Sequence, residues 1–146
     1  MSSPLKNRLQ SDLNQARKGR EKLRTLVLST TLSEIRNREI ELGADLSDDE
    51  VLAVVTKAVK RRKEASAQMR EGGRAELAEK EEAEAEMLSA YLPEGLSEVE
   101  VLQIVREIVA GGASEMGPVM GQLMPRLKGR FDGKEANRIV REVLAE

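Results

Sequence analysis

The chain has 146 residues, with 24 basic and 26 acidic side chains for a net charge of −2, and it contains no Cys, His or Trp. Those absences exclude thiolate nucleophiles, imidazole bases, disulfides and the Cys/His ligand sets of structural zinc. A core is possible, since a compact chain of this length buries roughly 70% of its unfolded surface, while the longest apolar run, Val51 to Val55, falls far short of a membrane span or a signal segment.

Sparse Gly and Pro at intervals suited to helix ends, with no β-branched alternating runs, predict an all-α protein. Ser3 and Pro4 suit an N-cap and a first helical position, and Leu5, Leu9, Leu13 and Ala16 follow at helical spacing. Gly19 is expected to end or bend this helix. A second helix, over about 20–42, spreads Leu23, Leu26, Val27, Leu28, Leu32 and Ile35 over more than one face, so it should have neighbours on two sides. Gly43 is its natural stop.

Ser47-Asp-Asp-Glu50 reads as a capping box that opens a third helix, with Val51, Leu52, Val55, Ala58 and Val59 turned inward. Arg62 falls in the middle of that stripe and needs a carboxylate there. The fourth helix, over about 74–90, is the expected source, since it carries Glu76, Glu79, Glu81, Glu82, Glu84 and Glu86 around Leu77 and Leu88. This glutamate cluster lacks the Glu-x-x-His pattern of a dinuclear centre and reads as a solvated face, so no metal and no cofactor is expected.

Tyr91-Leu-Pro-Glu-Gly95 is the expected domain boundary, because proline disfavours helical geometry in the residue before it and a glycine follows. The chain is thus predicted as an N-terminal four-helix domain, residues 1–93, followed by a small three-helix tail, residues 96–146. In the tail, Ser97 to Glu100 reads as a second capping box before Val101, Ile104, Val105, Ile108 and Val109. Met116, Val119, Met120, Leu123, Met124 and Leu127 then share one helical face, flanked by Gly117 and Gly121, and Pro125 is expected to end or kink that helix near Met124. Asp132 to Glu135 resembles a third box and opens a last helix with Ala136, Ile139, Val140, Val143 and Leu144 inside.

Charge is distributed unevenly. Residues 1–42 carry 9 basic and 5 acidic side chains, residues 43–96 carry 8 and 13, and positions 116–141 hold six basic and two acidic ones. On the last helix Lys134, Arg138 and Arg141 fall within about 60° of one another, opposite the apolar stripe. The preceding turn adds Arg126, Lys128 and Arg130, and the helix N-terminus offers free amides, so a nucleic-acid backbone is the ligand this pattern suits. A Lys/Arg-rich face kept for solubility has the same pattern. With Tyr91 and Phe131 as the only aromatic residues, base stacking is a poor prospect and any RNA contact should read shape and phosphates. Tyr91 is expected partly buried at the boundary and Phe131 as a core anchor. No catalytic residue is assigned: Ser29, Thr30 and Thr31 lie within a helix without a visible base other than lysines, and no P-loop or nucleophile elbow is present.

The stretch Met116-Gly-Pro-Val-Met-Gly-Gln-Leu-Met-Pro-Arg-Leu-Lys-Gly-Arg-Phe-Asp-Gly133, followed by Asn137 and Ile139-Val-Arg-Glu142, resembles the tail signature of the GatB/YqeY family. Lys60-Arg-Arg-Lys-Glu-Ala65, Glu79-Lys-Glu-Glu82 and Tyr91-Leu-Pro93 extend the likeness through the front half. The resemblance implies a stand-alone, two-domain helical member. The tail of the family's larger member, the B subunit of the glutamine-dependent tRNA amidotransferase, is implicated in holding tRNA. By that likeness Lys128, Gly129, Arg130 and Lys134 become candidate RNA contacts, and Arg126 matches a position that is commonly basic. Pro118 and Phe131 depart from the usual motif, and the kinase-like catalytic body of the B subunit is absent.

The expected function is accordingly an accessory RNA-binding protein that contacts the tRNA backbone through its tail and is linked to tRNA-dependent amidotransferase biology. The candidate nucleic-acid-binding residues are Arg126, Lys128, Gly129, Arg130, Lys134, Arg138 and Arg141. Two alternatives stand beside it: a helical module that presents the Gly117/Gly121 flank to a protein partner, and a carbon–nitrogen ligase with glutamine as amido donor, implied by family likeness alone. A cytoplasmic location without membrane association is expected.

Overall fold

In the computed structural model, which describes residues 3–146, the first helix starts where Ser3 accepts the Lys6 N–H at 3.1 Å and Pro4 supplies a preset φ. The described residues form seven helices in order: α1 Pro4–Lys18, α2 Lys22–Leu42, α3 Asp48–Glu71, α4 Ala75–Ser89, α5 Glu98–Ala110, α6 Met116–Leu127 and α7 Gly133–Leu144. No strand occurs among the described residues. The chain divides into two compact units, one ending at Leu92 and the other spanning Pro93–Glu146.

The first unit holds α1 to α4. Its core joins Leu9 and Leu13 of α1, Val27, Leu28, Leu32 and Ile35 of α2, Val51, Val55, Ala58 and Val59 of α3, Ala85 and Leu88 of α4, and Tyr91 just beyond the end of α4. The apolar side chains of α2 do spread over more than one face, and α2 packs against α1, α3 and α4. Gly43 stops it with a left-handed φ of 68°, and its N–H donates to the Glu39 carbonyl. At the α1–α2 turn the left-handed residue is Arg20, at φ 55°, while the neighbouring Gly19 stays right-handed.

Polar ties fix the packing of these helices. Asp48, first residue of α3, accepts the Ser3 hydroxyl and the Leu5 N–H, the latter at 2.9 Å, and so clips the start of α1. Glu39 takes Lys6 Nζ at 2.8 Å and the Leu46 N–H at 3.0 Å. Tyr91, more buried than expected at 8% exposure, donates its hydroxyl to Asp12 and carries the Arg8 guanidinium 4.6 Å above its ring.

The α3–α4 hairpin is the longest contact of the unit, and beyond the core its tip is held by charge. Glu82 accepts Arg70 Nε at 2.6 Å and Nη2 at 2.8 Å, and the Ser66 hydroxyl donates to it at 2.8 Å. Arg70 first and Ser66 second hold the Glu82 carboxyl down at about 2. Arg62 lies where the stripe placed it and meets Glu84 of α4 at 3.6 Å. Its Nη1 donates to the Ala58 carbonyl at 3.1 Å, and its buried Nε has no hydrogen-bond partner. Burial, with help from Glu81, pushes the Glu84 carboxyl up. Leu77 is 47% exposed, while the adjacent Ala78 is buried and takes the side of α4 that is covered.

The second unit is a three-helix assembly in which α5, α6 and α7 each touch the other two around Val101, Val105, Leu123, Leu127, Ile139 and Val140. Of the three expected capping boxes, Ser47–Glu50 forms in full. At Ser97 the hydroxyl accepts the Glu100 N–H at 3.1 Å, but the Glu100 carboxylate turns to that hydroxyl instead of the backbone. Asp132 makes no side-chain cap bond. The expected break at Pro125 is absent, and α6 runs on to Leu127. Pro125 lies in the last turn on the exposed side, where Gly121, four residues back, is open to water that can satisfy its carbonyl.

Candidate anion-binding ridge

α7 buries Ala136, Ile139, Val140 and Val143, which leaves the opposite face polar from its first turn to its last. On that face Gly133, Lys134, Asn137, Arg138 and Arg141 line one shallow cavity of about 420 Å³. Three of the sequence-predicted residues, Lys134, Arg138 and Arg141, are therefore brought together.

Their electrostatic states differ. Arg138 is enclosed by carboxylates: it bonds Glu98 of α5, donates Nη1 to Glu142 at 2.9 Å and donates Nε to Glu135 at 3.1 Å. Glu98 first, then Glu142 and Glu135, raise its pKa above the ordinary guanidinium value. Lys134 and Arg141 are exposed and make no ion pair among the described residues. The cationic character of the ridge thus comes from Lys134 and Arg141, with Arg138 acting as the pin that ties α7 to α5.

The α6–α7 turn lies outside this cavity lining, and its candidate residues have structural duties. Gly129 takes a left-handed φ of 68° that a Cβ would strain. Arg130 clips the segment before α5: its Nε donates to the Glu94 carbonyl at 3.0 Å, and its carbonyl accepts the Leu96 N–H at 2.8 Å. Phe131 is partly buried against the core, as an anchor should be. Lys128 is the C-cap of α6, and Arg126 is exposed in its last turn.

Sequence reasoning missed the glutamates around Arg138 and the place of Asn137 in the cavity. Glu135 and Glu142 stand three and four residues from Arg138 and were readable as helix pairs. Glu98 comes from another helix, and no local signal announces it.

The architecture and ridge define an all-helical protein of two compact units whose second unit carries a partly neutralised cationic face. The chain belongs to the YqeY family: the family model described as Yqey-like protein matches residues 6–144. Among curated relatives, a Pyrenophora tritici-repentis protein named altered inheritance of mitochondria protein 41, mitochondrial, is 27% identical over 94% of this chain and 79% of its own length. An uncharacterized Schizosaccharomyces pombe protein is 35% identical over 62% of this chain and 74% of its own.

Proposed function

We propose that the second unit docks on the sugar–phosphate backbone of a folded RNA, tRNA by the family resemblance, and that the protein serves as an accessory to aminoacyl-tRNA metabolism. The observation that carries this reading is the shared cavity of Lys134, Asn137, Arg138 and Arg141 on the solvent face of α7. Lys134 and Arg141 supply net positive charge, Asn137 a neutral donor, and Arg138, already held by glutamates, a guanidinium in fixed orientation. The two uncompensated cations of the ridge make its binding backbone-directed and salt-dependent, contributing roughly −2 to the slope of log K against log salt.

The test is fluorescence anisotropy with labelled tRNA across a salt series. Lys134→Gln with Arg141→Gln should weaken binding several-fold and flatten the slope while leaving helicity intact. Affinity and slope equal to wild type in that double variant would sink the proposal. A second reading, docking of a partner protein on α6, draws support from Gly117 and Gly121, above which nothing lies within 4 Å of an added Cβ. Co-purification of one dominant protein that survives nuclease treatment would favour it.

A further inference from the structure

Within the first unit the excess of cations is confined to residues 1–42, nine basic against five acidic, and the carboxylates of that segment are engaged elsewhere. Of the five acids in residues 1–42, Asp12 accepts from Tyr91, Glu21 pairs with Arg24 at 3.4 Å, Glu34 with Arg61 at 2.8 Å, Glu39 with Lys6 at 2.8 Å and Glu41 with Arg38 at 3.1 Å. Arg17, Lys18, Arg20, Lys22 and Arg36 remain, exposed and without a salt bridge among the described residues. Arg36 acts on Glu39 only as an added charge, since that carboxylate is bonded to Lys6 and the Leu46 N–H.

Four of these five cations border two adjoining cavities of the α1–α2 hairpin. One, of about 520 Å³, is lined by Arg17, Arg20, Lys22, Thr25, Leu26 and Ser29. The other, of about 170 Å³, has Arg17, Arg36, Gln10, Ser29 and Ser33 in its wall, so Arg17 and Ser29 belong to both. At 100° per residue, the α2 residues of this surface fall within one arc of about 100°, and no carboxylate shares it. From Lys22 to Arg36 the surface runs roughly 21 Å at 1.5 Å per residue, too long for one phosphate group and suited to several in succession.

A purely structural account covers only part of this. Arg17 and Lys18 complement the C-terminal dipole of α1. Lys22 stands at the first residue of α2, where the dipole disfavours a cation, and Arg36 lies in its interior, where the dipole gives nothing. Arg20 holds a left-handed backbone directly after a glycine that does not, a strained placement that sets a guanidinium at the groove. A lipid surface fits less well: Val27, Leu28, Leu32 and Ile35 of α2 are spent in the core, and of its exposed apolar residues, Leu26, Ile40 and Leu42, only Leu26 stands in the cavity walls.

We infer that the α1–α2 hairpin is a second polyanion-binding surface, on which consecutive phosphates of an RNA strand lie along Arg17, Arg20, Lys22 and Arg36, with Thr25, Ser29 and Ser33 as hydroxyl donors. It shares a ligand class with the α7 ridge and none of its residues.

The test uses the full chain and labelled folded RNA. Arg17→Gln, Arg20→Gln, Lys22→Gln and Arg36→Gln together should lower affinity roughly tenfold or more and flatten the salt slope by roughly 3. A charge-matched control, Arg38→Gln, Lys57→Gln, Arg61→Gln and Lys63→Gln, should change affinity by no more than about twofold. Arg20→Gly separates binding from folding, since it relieves the left-handed strain and should raise the melting temperature while weakening RNA binding. Unchanged affinity and slope in the quadruple variant, an equal loss in the control, or loss of binding to phosphatidylserine vesicles with RNA binding intact overturns the inference. RNA affinity lost only with Lys134→Gln and Arg141→Gln overturns it while sparing the α7 reading. Loss confined to the α1–α2 variants supports this surface and removes the ridge.

Discussion

Replacing Tyr91 by Phe removes a single oxygen from the heart of the first unit and leaves the ring, its burial and the overlying Arg8 in place. What is lost is the hydroxyl's bond to the Asp12 carboxylate. A hydrogen bond to a charged acceptor contributes about 1.5–3 kcal/mol. Asp12 keeps 20% of its side chain exposed and has Arg24 at 3.8 Å, so water and that guanidinium take over part of the role and the expected cost is about 1.5 kcal/mol. The pH dependence follows from the same contact. Burial, and then the Asp12 hydrogen bond, push the Tyr91 phenol up to about 12 from its ordinary value of 10. The fold therefore favours the neutral phenol, so this stabilisation is complete below pH 10 and declines as pH rises toward 12, by roughly 1.4 kcal/mol per pH unit. Urea denaturation followed by circular dichroism, with separate transitions allowed for the two units, should show wild type more stable than Tyr91→Phe at pH 7 and the gap nearly closed by about pH 11. Equal stability at pH 7, or a gap undiminished at pH 11, would refute the reasoning.

Glu98→Gln, Glu135→Gln and Glu142→Gln together release Arg138 from its carboxylates. RNA affinity should rise several-fold with a steeper salt slope, and a fall would place Arg138 outside the interface. Arg62→Met leaves Glu84 buried without its cation and should cost on the order of 3 kcal/mol in chemical denaturation. Adding Glu84→Leu should restore most of that loss, and a double variant no better than the single would argue against a coupled pair. Gly129→Ala must adopt a φ of 68°, and about 1 kcal/mol of destabilisation is expected in the melting of the second unit.

The site was partly legible because one helix is a self-contained ruler. Lys134, Arg138 and Arg141 share a face by periodicity alone, and that face faces solvent because Ala136, Ile139, Val140 and Val143 take the other side. Whether a cation on such a face carries free charge is a different question. Lys134 and Arg138 look equivalent along the chain, yet Glu98 comes to Arg138 from α5. Likewise the basic excess of the first 42 residues was visible as a count, but its concentration on the α1–α2 hairpin depended on where five carboxylates found their partners.

Helix class, most helix ends and the buried faces were determined locally. Capping hydroxyls, left-handed glycines and apolar spacing act over a few residues, and those are the distances sequence records directly. The passage of α6 through Pro125, the exposure of Leu77 and the pairing of Arg62 with Glu84 rather than its neighbouring glutamates were decided by the folded chain. Each depends on which side of a helix meets water and which carboxylate lies across a packed interface, and those distances exist only after the helices have assembled.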